Sequence, residues 1–290
     1  MTQATAERPG ASDAIVAFAT GGWAMRAPVR DAGRELLAAT LAQALAGARS
    51  DAVEIALAAR EAGNPRLAAG LIGRPERVGA IDAALIDGIA AGTAPSLATP
   101  VVCAALAAGE AAHAPGAVVL DAIVAGVEVA VRLAASLGPS HVERGWAVEG
   151  TCGRIGAAIA ATRIFGLNAE RTRNALGIAA TAAGGLRAAD GTMTGRYVQG
   201  LAAADGVEAA LLARFGFTGA PLSIDGRRGL AALMSATFAP EAIVEGLGER
   251  YSIGELPDAT ARPALPEALR ESLDRIEKLP AIDELLAAAR

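Results

Sequence analysis

Apolar residues recur at helical spacing along almost the whole chain, and no stretch alternates long enough to suggest a strand-rich half. The pattern predicts a short helix over 13–25, a long one over 29–48, and a third to about 62. Asp51 and Glu54 open the third with capping-box spacing. The stretch LAAGLIGRPERVG mixes Gly and Pro and reads as irregular chain or a short strand pair. Helices follow over 79–91, 99–114 and 117–137. SLGPSHVERGWAVEGTCG is the longest break inside the pattern, after which periodicity resumes over 152–165. Asn168 is a good N-cap for a helix to about 183, and a further helix over 197–215 is closed by Gly216. Two short helices are predicted within 228–247. SIGELPDATARPALPE reads as a linker, and Leu269, Leu273, Ile276 and Leu279 give the tail an apolar helical face. The fold class is therefore all-α, a large helical bundle. Residues 1–11 are polar and read as disordered.

Composition sharpens the picture. Hydrophobic residues make up 53% of the 290, but aromatics only 3%, so the apolar content is mostly Ala, Leu, Ile and Val. Ala and Leu are strong helix formers, and small side chains let helix axes approach closely. The net charge of −5 comes without a basic run, which argues against nucleic-acid binding. Lys278 is the only lysine, so amine chemistry has one candidate. Cys103 and Cys152 make no disulfide framework, and no metal-ligand spacing appears. The N-terminus lacks an apolar signal core, so a cytoplasmic location is expected. The uncharged stretch 89–109 is long enough to span a bilayer, but it is broken by Pro95 and Pro100 and reads as a buried loop and helix.

Several residues are candidates for chemistry. Gly150, Thr151, Cys152 and Gly153 stand before a predicted helix. There, free N–H groups and the helix dipole can hold an anion; the plainer reading is a glycine turn with a threonine cap. Asp190, Thr192, Thr194, Arg196 and Tyr197 lie between two long helices. Arg196 can bind a carboxylate bidentately and Tyr197 can donate a proton; otherwise this is a solvated loop. His141 lies in the long break, with a role in proton transfer or as a capping residue. Glu128 and Arg132 read as an ordinary i,i+4 pair. No P-loop, GxSxG, HExxH or dinucleotide fingerprint occurs, and no cofactor or metal is expected.

The stretch GWAVEGTCGRIGAAIAATRIFGLNAERTRNALGIAATAAGGLRA resembles the MmgE/PrpD family, whose members show GFHPTGTxGxxGAAxAAxxLLGL followed by NALGIAxxxAxGL. The resemblance continues in GLAAADGVEAALLARFGFTGAP, SIDGRRGL, AALIDGIAAG and VLDAIVAGVEVAVRL, and covers most of 12–253. It implies a helical domain over 12–253, with a linker over 254–266 in place of the family's α+β lid. Helices over 267–290 are then expected to pack back on the domain. It also implies lyase or isomerase chemistry on a small di- or tricarboxylate, and dimerisation through the helical domain. On this reading Gly150, Thr151, Cys152, Gly153, Asp190 and Arg196 bind substrate, and His141, Glu149 or Tyr197 moves the proton. The departures point to the alternative: a divergent or inactive member, serving as a binding module or as a subunit beside a full-length relative. The family's acidic segment after the match to Asp87-Gly88 is missing, and its HPS histidine is absent at Ser96-Leu97-Ala98. The histidine of GFHPT falls on Ala147, and the lysine before the Gly200 helix falls on Gly195.

Overall fold

The computed structural model describes residues 10–22, 25–51, 53–54, 68–94, 96–255 and 265–290. The predicted disorder over 1–9, most of the helix from Asp51 and the centre of the linker lie outside these residues. Among the described residues the protein is all-α apart from one short hairpin.

The first helix, α1 (Ala11–Thr20), begins earlier than its apolar pattern suggests. Ala11, read from sequence as the end of a disordered leader, is fully buried. The Ser12 hydroxyl donates to Asp225 Oδ1 (2.5 Å), tying this start to a distant loop. Helix α2 (Ala27–Gly47) carries Pro28 in its first turn, where a missing N–H costs nothing. Strands β1 (Ala68–Gly70) and β2 (Arg77–Gly79) pair antiparallel, with Ala69 opposite Val78. The hairpin leads directly into α3 (Ala80–Ala91), followed by α4 (Ala98–Ala111).

Helix α5 (Gly116–Leu137) is apolar nearly all round and sits at the centre of the bundle. Pro115 starts it, and Gly138 at φ +65° stops it. Short α6 (Pro139–Glu143) follows, then a π turn over Glu149–Gly153 that runs into α7 (Arg154–Ile164). Helix α8 (Ala169–Ala182) is capped by Asn168, whose Oδ1 accepts from the Arg171 N–H (2.9 Å). Helix α9 (Met193–Arg214) starts four residues before its apolar pattern does, because Thr192 caps it. Short α10 (Leu230–Met234) and α11 (Glu241–Val244) come next. The chain ends with α12 (Glu267–Asp274) and α13 (Asp283–Ala288).

Two glycine contacts fix the packing. Helices α3 and α9 cross so closely that a Cβ on Gly88 would lie 2.5 Å from Gly200 Cα. Helices α5 and α7 cross at Gly126, whose Cβ would lie 2.6 Å from the Val101 side chain of α4. The last two helices bury Leu269, Leu273, Ile282, Leu285 and Leu286 in the same core as α2 to α5. The Ile282 N–H donates to the Ala114 carbonyl (2.8 Å) and the Gly116 N–H to the Leu279 carbonyl (3.0 Å).

The Glu128–Arg132 pair is a buried node rather than the surface pair its spacing suggests. Arg132 Nε donates to Glu128 Oε1 (2.6 Å), and the remaining guanidinium N–H groups reach five carbonyls between Ala242 and Arg250. Glu128 accepts from the N–H groups of Ser252 and Ile253. A buried charge pair is tolerated when every lone pair and proton finds a partner, as here. No described helix is long and apolar enough to cross a membrane; the described residues within 89–109 include the end of α3 and most of α4.

Candidate functional site

The candidate site is a half-open cleft of about 170 Å³ where α9, the end of α3 and the π turn meet. Its shape comes largely from backbone. The Gly88–Gly200 crossing brings the chain after α3 against the first turns of α9, and a Cβ on Gly92 would stand 3.1 Å from Arg196 Cα. The opposite wall is the segment before the π turn, laced to the loop before α9. The Ala147 N–H donates to the Gly185 carbonyl (3.0 Å), Arg187 N–H to Gly145 (2.9 Å), and Gly184 N–H to Gly150 (3.2 Å). A Cβ on Gly150 would overlap the Gly184 carbonyl oxygen. Gly195 also sits close to the turn at Arg187–Ala189: its Cβ would meet the Ala189 carbonyl oxygen at 2.8 Å.

Four side chains give the cleft its chemistry: Glu149, Asp190, Arg196 and Gln199. Burial pushes the Glu149 carboxyl above the usual carboxylate range, with repulsion from Asp190 adding to it. Asp190 pairs with Arg187 (3.5 Å), whereas Arg196 makes no ion pair among the described residues. Gln199 is 1% exposed, and neither its amide nitrogen nor its amide oxygen has a hydrogen-bond partner among the described residues. The cleft therefore brings together a carboxyl that gives up its proton less readily than usual and a guanidinium without an ion-pair partner among the described residues.

The structure thus brings together Glu149, Asp190 and Arg196 of the sequence candidates. Tyr197 is 43% exposed and is not among the residues that line the cleft. His141 is buried outside the cleft. Its Nδ1 faces the Met234 carbonyl (3.1 Å), which can only accept, so Nδ1 carries the proton. Burial lowers the pKa of the ring, keeping it neutral, and Nε2 then accepts from the Thr151 hydroxyl (2.8 Å). That pair ties α6 to the π turn. Cys152 is fully buried, and burial pushes its thiol up to about 12, the reverse of an activated nucleophile. Gly153 packs against Pro100.

The anion-holding helix start expected at Gly150–Gly153 lies one turn earlier. The N–H groups of Gly150 and Thr151 already donate to the Ala147 carbonyl (3.1 and 3.2 Å), so they are not free for a ligand. The π turn extends the helix backward, and its first turn places Glu149 at the cleft. Among the described residues no His, Cys, Asp and Glu cluster is arranged to hold a metal ion.

Gln199 is the cleft residue that sequence reasoning missed. It stands inside an apolar helical run and belongs to no motif. One signal was present: it shares a face with Ala203 and Gly206, so a lone polar residue falls on a stripe of otherwise small, buried positions.

A small polar cleft between tightly crossed helices, open at one side, marks this mostly helical domain as a candidate for binding a small ligand. The MmgE/PrpD N-terminal domain model matches residues 23–242, and the chain belongs to the MmgE/PrpD family. A cis-aconitate decarboxylase-like protein of Aspergillus oryzae, oryM, is 33% identical over 141 residues. The match covers 46% of this chain and 29% of that protein, so it spans less than a third of the relative's length.

Proposed function

We propose that this cleft binds a small carboxylic acid and that the chain acts as a lyase or isomerase, moving a proton next to a carboxylate. The observation that carries the reading is the pairing in one cleft of Glu149, held protonated more readily than an ordinary glutamate, with the unengaged Arg196. Arg196 anchors a ligand carboxylate by a two-pronged hydrogen bond, and Glu149 exchanges the proton as general acid or base. Family membership and the decarboxylase-like relative support chemistry on such acids. Of the di- and tricarboxylates that the resemblance suggests, the cleft volume favours the smaller.

Purified protein is expected to turn over at least one acid in a panel of small di- and tricarboxylates, followed by the change in absorbance as a double bond forms or disappears. Glu149→Gln keeps the shape and removes the proton, and is expected to lower turnover by about 10²–10⁴-fold. Activity unchanged in that variant, or silence across the panel, rejects the reading.

A second reading has its own observation. Ala147 and Gly195 line the cleft at the positions where the resembling motifs carry histidine and lysine. An alanine or a glycine transfers no proton. On this reading the cleft binds an acid without converting it, alone or as a subunit beside a full-length relative. Saturable binding of a panel acid without turnover distinguishes it.

A further inference from the structure

A second concavity shares no lining residue with the cleft. It is an open groove of about 670 Å³, lined by the end of α8, by α10 and by the loop that joins α9 to α10. All three contribute apolar surface: Ala180 and Ala183, Leu233 and Met234, and Pro221 with Leu222. Leu222 is 60% exposed and Leu233 66%. Single exposed leucines are ordinary on a protein surface, but two that line one groove from different elements mark a place where an apolar group sits.

The charge of the groove is of one sign. Arg227 and Arg228 line it, and no acid does among the described residues. Both arginines are exposed, and neither has an ion-pair or hydrogen-bond partner among the described residues. Asp225, the acid beside them in sequence, accepts from Ser12 of α1 instead. In a chain of net charge −5 this groove is therefore a positive spot. Guanidinium groups bind carboxylates through paired hydrogen bonds. The occupant that matches both features has an apolar body and an anionic head. The volume falls in the range of small-molecule sites, roughly 300–1,000 Å³. A membrane surface is a poorer match, because it is held by an outward apolar face and by clusters of about four to eight basic residues.

We propose that this groove binds one free medium-chain fatty acid, its chain against Leu222, Leu233 and Met234 and its carboxylate on Arg227 and Arg228. The site is separate from the cleft and does not depend on the activity proposed there. The chain supplies most of the affinity, and the arginines select for an anionic head.

The test is calorimetric titration of the full chain with hexanoate, octanoate and decanoate, kept below the concentrations at which they form micelles. One equivalent of decanoate is expected to bind, about tenfold or more tightly than hexanoate, since each added methylene buries further apolar surface. Decanol has the same chain and no charge, and is expected to bind about tenfold more weakly than decanoate. The double variant Arg227→Gln, Arg228→Gln should bring decanoate down to the level of decanol. Leu233→Glu alters an exposed position, so the fold is kept, and its carboxylate should abolish binding. Arg196→Gln, in the cleft, should leave decanoate binding unchanged. No binding of decanoate, equal binding of decanol, or binding that survives the double variant overturns the proposal, and the chain-length and decanol comparisons stand even if a variant does not fold. Loss of decanoate binding in Arg196→Gln would place the acid in the cleft and overturn it as well. So would affinity for anionic phospholipid vesicles without affinity for free decanoate, or a dimer in sedimentation that Leu233→Glu dissolves, which would give the groove to a second copy of the chain. Because the two sites are read by different ligands, failure here leaves the activity proposed for the cleft standing, and inactivity of the cleft leaves this site standing.

Discussion

At the residue scale, burial decides which ionisable groups are available for chemistry. His141 was one of the sequence candidates for proton transfer, yet both ring nitrogens are engaged, Nδ1 with the Met234 carbonyl at the end of α10 and Nε2 with Thr151 of the π turn. Asp87 illustrates the same rule outside the cleft. It is fully enclosed on α3, accepts the Ile72 N–H (3.0 Å), and burial pushes its carboxyl up to about 7. The folded chain thus keeps this proton up to about pH 7, whereas the unfolded chain releases it near pH 4. Between those values the unfolded chain binds fewer protons, so the contribution of Asp87 to stability falls as pH rises. Asp87→Asn mimics the protonated form. Its lead over the parent protein should be small near pH 4, grow through about pH 7 and then level off at roughly 1–3 kcal/mol. Urea midpoints at about pH 4.5, 6 and 8 read this directly; a lead that shrinks with pH contradicts it.

At the element scale, the cleft depends on the α3–α9 crossing. A Cβ on Gly200 would overlap the Leu85 carbonyl oxygen, which is backbone and cannot swing aside. Gly200→Ala is therefore expected to part the two helices, costing about 1–3 kcal/mol or more. It should also weaken ligand binding, since Gly92 and Arg196 meet one turn away; a Tm loss with unchanged affinity would show that the crossing does not set the cleft. Most helices were legible in the sequence, because apolar periodicity and caps such as Asn168 act locally. The start of α9 was less so, since Thr192 announces it in a glycine-rich stretch with no apolar rhythm. The site was half legible. Glu149, Asp190 and Arg196 stand in polar clusters that draw notice, whereas Gln199 gains its meaning only from what surrounds it. The burial of Arg132 was illegible for the same reason: its carbonyl partners lie more than a hundred residues away.

At the scale of the whole molecule, the end of the chain is part of the core. Arg290 Nη2 donates to the enclosed Glu110 (2.6 Å), which also accepts the Gly70 N–H (2.8 Å). The Gly73 N–H donates to the Ala289 carbonyl (2.8 Å), so the hairpin and α13 hold each other. Shared burial predicts shared unfolding. Ile282→Ala empties a fully buried site and is expected to cost about 2–5 kcal/mol. The loss should appear as a shift of one cooperative transition by both far-ultraviolet circular dichroism and Trp fluorescence. A separate early step confined to the last helices would contradict it.

The close seat of Gly195 under the Ala189 carbonyl oxygen limits what this position can carry. The neighbouring turn occupies the room that a side chain would need. Any longer side chain at this position would collide with main chain unless the turn withdrew first, so the cleft wall here is tied to the absence of a side chain at 195.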